Sequence, residues 1–163
     1  MMRLTLLRHA KSSWDHPDLR DIDRTLNDRG RHDAPLMGLV CAERLPKPDI
    51  ILVSPAVRTM ETVELFADAW NLQPDVEVIV EDSLYLATRF DWIRIVGTYA
   101  GRGVHILGCG HQPGVGNFAG WLDGTFNGDV PTATVLSFVT ENGGLDQGTA
   151  RLDFAGRPKD YRE

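Results

Sequence analysis

Two short runs, the continuous apolar Ile50-Ile51-Leu52-Val53 and Val104-His105-Ile106-Leu107, apolar but for its histidine, constrain the fold more than any other feature. Each is four residues long and stops abruptly in small and polar residues. Apolar runs of that length suit strands covered on both faces, the condition of a parallel sheet flanked by helices. The residues after each run support this. Ser54-Pro55 pairs a good N-cap with a residue that fits the first helical position, and Pro113 comes soon after the second run. A helix is therefore expected after both.

The rest of the chain falls into the same rhythm. Leu4 to Leu7 forms a β-type run ending at Arg8-His9, and Lys11 to Arg29 is a polar loop holding five aspartates. Residues 30 to 44 carry Ala34, Met37, Val40 and Cys41 at helical spacing, and Pro46 and Pro48 stop that helix. Val76 to Val80 alternates like a strand, and Asp82 to Tyr99 contains a third helix. Ala133 to Val139 and Thr149 to Phe154 read as a terminal hairpin through Asn142-Gly143-Gly144. The order β-α-β-α predicts an α/β chain with a mostly parallel central sheet. The 163 residues, 42% apolar, match one domain over 1–163 with a full core.

The net charge of -6 speaks against a nucleic-acid partner, and no run of 18 apolar residues marks a membrane span. With Cys41 and Cys109 as the only cysteines, no disulfide framework is expected, which points to the cytoplasm.

Three polar clusters each directly follow an apolar strand: Arg8-His9, Ser54 to Arg58, and Gly110-His111. Carboxyl ends of parallel strands are where open α/β sheets bind ligands. Taken singly, each residue has an ordinary explanation: a strand-end pair, a solvated helix arginine, a turn histidine. Together, two arginines and two histidines beside two helix N-termini suit a tetrahedral oxyanion. His16, His32 and His105 do not share this placement. No H-x-x-x-H, H-E-x-x-H or clustered Cys/His set suggests a metal, and no Walker-type loop suggests nucleotide hydrolysis.

Leu7-Arg8-His9-Ala10-Lys11-Ser12 resembles the R-H-G/A signature of the histidine phosphatase superfamily. Ser54-Pro55-Ala56-Val57-Arg58-Thr59-Met60-Glu61-Thr62 is similar to its S-P-x-x-R-x-x-x-T segment, and Gly110-His111-Gln112-Pro113-Gly114 to its second-histidine motif. The R-H-A-K-S-S-W opening, Asp23-Arg24-Thr25-Leu26-Asn27 and Arg29-Gly30 resemble the SixA-like phosphohistidine phosphatases. The resemblance runs from residue 3 to about 122.

The resemblance implies a phosphoglycerate mutase-like three-layer α/β/α sandwich and a cofactor-free, metal-independent phosphatase. His9 would attack phosphorus, while Arg8, Arg58 and His111 hold the phosphoryl oxygens. Arg24 would be a further phosphate or substrate ligand, although a solvated loop arginine fits its sequence context nearly as well. The arginines beside His9 should lower its pKa and keep it neutral. The substrate would be a phosphohistidine protein or a phosphorylated small molecule. A small-molecule phosphomonoesterase and a non-catalytic phospho-ligand-binding module are the alternatives, and a mutase is disfavoured by length. Two positions depart from the family pattern. Gln112 stands where an asparagine is usual. The L-x-E glutamate of larger members is replaced in Leu84-Tyr85-Leu86, with Glu81 and Asp82 just upstream as possible substitutes.

Overall fold

The computed structural model describes residues 1–163. Six strands form one sheet: β1 (Met2–Arg8), β2 (Ile50–Val53), β3 (Glu77–Val80), β4 (His105–Gly110), β5 (Val135–Thr140) and β6 (Ala150–Gly156). Their spatial order is β3-β2-β4-β1-β5-β6. The first four are mutually parallel, and β5 and β6 join antiparallel as the expected hairpin.

Four helices cover the sheet: α1 (Asp28–Arg44), α2 (Val57–Ala69), α3 (Arg89–Tyr99) and α4 (Gly114–Leu122). Successive residues of a strand point to opposite faces, and the core divides accordingly. Leu7, Ile51, Val53 and Leu107 pack with Met37, Cys41, Val63 and Phe66 of α1 and α2. Leu4, Leu6, Leu52 and Ile106 pack with Trp92, Ile95, Val115 and Phe118 of α3 and α4. The result is the three-layer α/β/α sandwich with a mostly parallel sheet. No helix is long and apolar enough to cross a membrane. Cys41 and Cys109 are both buried free thiols, and burial pushes the Cys41 thiol up to about 12.

Two helix starts bear on the site. Asn27 caps α1, its side chain accepting the Gly30 N–H at 2.9 Å. Gly30 lies so close to the Lys11 carbonyl that a Cβ there would stand 2.2 Å from the oxygen. Gly114, opening α4, meets the Ala87 carbonyl in the same way, also at 2.2 Å. Only glycine allows backbones to approach this closely. The second helix begins at Val57, two residues later than a Ser54 cap would place it, with Ala56 in the capping position.

Candidate functional site

Strand register brings the three clusters together. Arg8 pairs with Gly110 at the end of the β1–β4 ladder, and Val53 pairs with Cys109 at the end of β2–β4. Ladder bonds continue one residue further, His9 N–H donating to Gly110 at 3.0 Å and Ser54 N–H to Cys109 at 3.2 Å. His9, Ser54 and His111 thus leave the sheet side by side.

His9 is 7% exposed, and its Nδ1 lies 2.7 Å from the Ala10 carbonyl oxygen. A carbonyl only accepts, so Nδ1 carries the ring proton and the lone pair of the neutral imidazole sits on Nε2. Burial pushes the pKa of His9 down to about 4. The Ala10 hydrogen bond opposes this, while the charges of Arg58, Arg8 and Arg24 act in the same direction. The arginines therefore do what the sequence predicts, but burial outweighs them.

The His111 ring centroid is 5.3 Å from that of His9, with the planes tilted by 55°. Its Nε2 lies 2.8 Å from Ser54 Oγ, which also accepts the Ala56 N–H at 3.3 Å. A hydroxyl oxygen has two lone pairs, so this contact suits either neutral tautomer of His111. Nδ1 is buried and meets no protein partner. Burial pushes the pKa of His111 down to about 3; proximity to His9 and Arg58 adds to this, Asp21 opposes it, and Arg8 adds again.

The arginines complete the cluster. Arg8 donates through Nη1 to the Val130 carbonyl at 2.8 Å, and Arg58 donates through Nη1 and Nη2 to Asp21. The Nε of both is buried without a partner. Arg24, 8% exposed, donates to Ser12 Oγ at 2.6 Å and to Asp21 Oδ1 at 3.2 Å, with its guanidinium carbon 3.7 Å from the Trp14 ring centroid. All five residues expected at the site are thus gathered there, Arg24 included. Three buried nitrogens, Arg8 Nε, Arg58 Nε and His111 Nδ1, have unspent hydrogen-bonding capacity, on residues whose charge or ring lies close to His9. Buried polar groups are costly unless paired, so such a cluster favours an anion with several acceptor oxygens.

Other residues enter that the sequence did not single out. Asp21, on a short 3₁₀ turn at Asp21–Asp23, contacts both Arg24 and Arg58, and Tyr85 donates to its Oδ2 at 2.6 Å. Five aspartates crowd that loop and nothing in their order distinguishes this one. The Tyr85 ring stands edge-on to His111 at 5.6 Å. Glu81 instead accepts from the Tyr99 hydroxyl at 2.7 Å, and Asp82 is exposed. Leu86, at the position where the larger family members carry a glutamate, is 69% exposed with a φ of 55°. His16 and His32 are not buried, and His105 is buried against Thr5 Oγ1. No three His, Cys, Asp or Glu side chains are grouped to hold a metal.

A groove of about 770 Å³ opens from His111. Arg89, Phe90, Trp121, Phe126 and Asn127 line it, and its lining contains no carboxylate.

Residues 4–85 match the model of the histidine phosphatase superfamily (branch 1). An uncharacterized chloroplastic protein of Arabidopsis thaliana is 32% identical over 135 residues, 75% of this chain; the chain spans 59% of that relative's length. The solved SixA structure from Agrobacterium tumefaciens superposes with a TM-score of 0.82 at 26% identity, over 96% of this chain and 97% of that one. The structure of the protein histidine phosphatase SixA complexed with tungstate superposes with a TM-score of 0.83 at 21% identity, over 99% and 100% of the two chains. The chain belongs to the histidine phosphatase superfamily, in its SixA-like branch.

Proposed function

We propose that this protein is a phosphatase that acts on phosphohistidine, or on another phosphate with a good leaving group, through a phosphohistidine formed on His9. The observation that carries the reading is a neutral His9 with its lone pair on Nε2, clustered with Arg8, Arg58 and His111, each of which has a buried nitrogen without a partner. The lone pair forms the bond to phosphorus as the bond from phosphorus to the leaving group breaks, and the leaving group takes the electron pair. Water then attacks phosphorus. The bond to Nε2 breaks, its pair returns to His9, and the water proton leaves with phosphate. Arg8, Arg58 and His111 stabilise the charge on the equatorial oxygens, and Arg24 lies within electrostatic reach. Tungstate in the similar SixA structure is a tetrahedral oxyanion of the kind this cluster would take.

A protein substrate is favoured over a small one by the surroundings. The groove beside His111 is larger than a phosphate and its near neighbours need, exposed Leu86 and Phe90 line it, and exposed Trp14 lies against Arg24. Two buried free thiols suit work in the reducing cytoplasm.

The test is turnover of p-nitrophenyl phosphate and of a phosphohistidine peptide by wild type and by His9→Ala, with acid-labile phosphate trapped on the wild-type chain. Turnover that disappears in His9→Ala supports the reading. Tight binding of phosphate without turnover by the wild type would leave a phospho-ligand-binding module, and turnover surviving in His9→Ala would remove His9 as nucleophile.

A further inference from the structure

We infer that Asp21, locked by the Tyr85 hydroxyl, is a positioning residue that aims Arg58 and Arg24 at the phosphoryl group. The inference rests on the phosphatase reading and adds two residues to it.

The grip on Arg58 is double and comes from one residue. The Asp21 carbonyl accepts from Nη1 at 2.7 Å and its Oδ2 from Nη2 at 3.0 Å. A guanidinium is a rigid planar fork, so two contacts at its terminal nitrogens fix both its plane and its rotation within that plane. The directions of its other three N–H groups, the buried Nε–H among them, are then fixed as well. The other carboxylate oxygen, Oδ1, accepts from Arg24 Nε at 3.2 Å, so one carboxylate sets the relation between the two guanidiniums.

Tyr85 fixes the carboxylate in turn. Its hydroxyl donates to Oδ2 at 2.6 Å from the segment that follows β3, tying the 11–27 loop across the site. Proton donation by Asp21 is not the alternative. The Tyr85 hydroxyl is the largest influence holding its carboxyl down at about 2; burial opposes it, and Arg58 and Arg24 reinforce it. A carboxylate this acidic remains ionised wherever a neutral His9 could act. The rival interpretation is a plug, in which Asp21 occupies the arginines and must be displaced by phosphate. The two make opposite predictions for removal of the carboxylate.

The experiment compares wild type with Asp21→Ala, Asp21→Asn and Tyr85→Phe. It follows kcat and KM for p-nitrophenyl phosphate and inhibition by inorganic phosphate and by vanadate, which mimics the transferring group. Misplaced donors harm the transition state more than the ground state. In Asp21→Ala, kcat should fall at least about 10-fold and vanadate should bind weaker by a similar factor, with phosphate changed by less than about 3-fold. Asp21→Asn, which keeps the acceptor oxygen, should lose less. Tyr85→Phe should move the same quantities in the same direction with the fold intact, which covers an Asp21→Ala that does not fold. Wild-type kcat in both Asp21→Ala and Tyr85→Phe, or faster turnover with tighter phosphate in Asp21→Ala, overturns the inference. A wild type without turnover defeats the phosphatase reading instead. The inference is then decided by calorimetry, where vanadate must still bind Asp21→Ala more weakly than wild type.

Discussion

His9 and His111 face one another with ring centroids 5.3 Å apart, and the pKa of each is pushed far below that of a free imidazole, to about 4 and about 3. Burial is the leading cause for both, and a proton on one ring opposes a proton on the other. His105, buried at the other end of its strand, is pushed down to about 4, again chiefly by burial. In the unfolded chain all three titrate near 6.5. Between those limits the unfolded chain binds protons that the folded one refuses. Stability should therefore fall as pH drops from about 6.5 toward 4, each histidine contributing a slope of up to about 1.4 kcal/mol per pH unit. Urea midpoints at pH 7.5, 6 and 5 measure it, and a midpoint that holds steady or rises on acidification contradicts the assignment.

Arg58→Ala should lower kcat by about 10²-fold or more, the usual cost of losing one donor that stabilises developing charge. Arg58→Lys should recover little of it, because an ammonium lacks the fork that Asp21 holds. Steady-state kinetics on p-nitrophenyl phosphate decides. A variant within a few-fold of wild type would mean Arg58 serves the fold and not the reaction.

Rates should depend steeply on the leaving group. The one carboxylate hydrogen-bonded to the site arginines is Asp21, which is too acidic to donate a proton, Glu81 is turned to Tyr99, and Leu86 stands at the glutamate position. General-acid help is worth roughly 10²–10⁴-fold, and an alkoxide leaves poorly without it. Strong activity is expected on phosphohistidine and aryl phosphates, and weak activity on glycerol phosphate or phosphoserine. Plots of log kcat/KM against leaving-group pKa should keep their slope in Glu81→Gln and Asp82→Asn. A flat plot that steepens in Asp82→Asn would identify Asp82 as the acid.

Chelation offers an independent check on what carries the charge. Guanidiniums and an imidazole are assigned that task here, so turnover should persist in EDTA. Loss of activity on chelation, with recovery on adding a divalent ion, would reassign it.

Much of the site is legible in the residues because strand ends are local signals. Arg8-His9, Ser54 and His111 each abut an apolar run, and parallel register alone makes them neighbours. Arg24 shares no such signal. Its place depends on the fold of an irregular loop, where Ser12, Trp14 and Asp21 hold it through contacts that no periodicity encodes. Asp21 is hidden for the same reason, one of five equivalent aspartates until the fold brings Arg24, Arg58 and Tyr85 to it. Ser54 misleads in a different way. Its sequence context suits a helix cap, yet the helix is capped at Ala56, while the Ser54 hydroxyl takes the Ala56 N–H and meets the buried His111 ring, a partner that no local pattern announces. The depressed pKa of His9 follows from its neighbours' charge in sign, yet its main cause, burial, is a tertiary property.

Gly30 and Gly114 press the heads of α1 and α4 onto the carbonyls of Lys11 and Ala87, the first two residues after His9 and the second two residues after Tyr85. Where side chains separate two segments, the spacing can be adjusted by exchanging one residue for a larger or smaller one. Here main chain rests on main chain, and that adjustment is missing. The spacing at these two contacts is therefore set by the main chain alone. Attempts to broaden its substrate range should leave both contacts alone and vary Arg89, Phe90, Phe126 and Asn127, whose side chains border the groove without setting its frame.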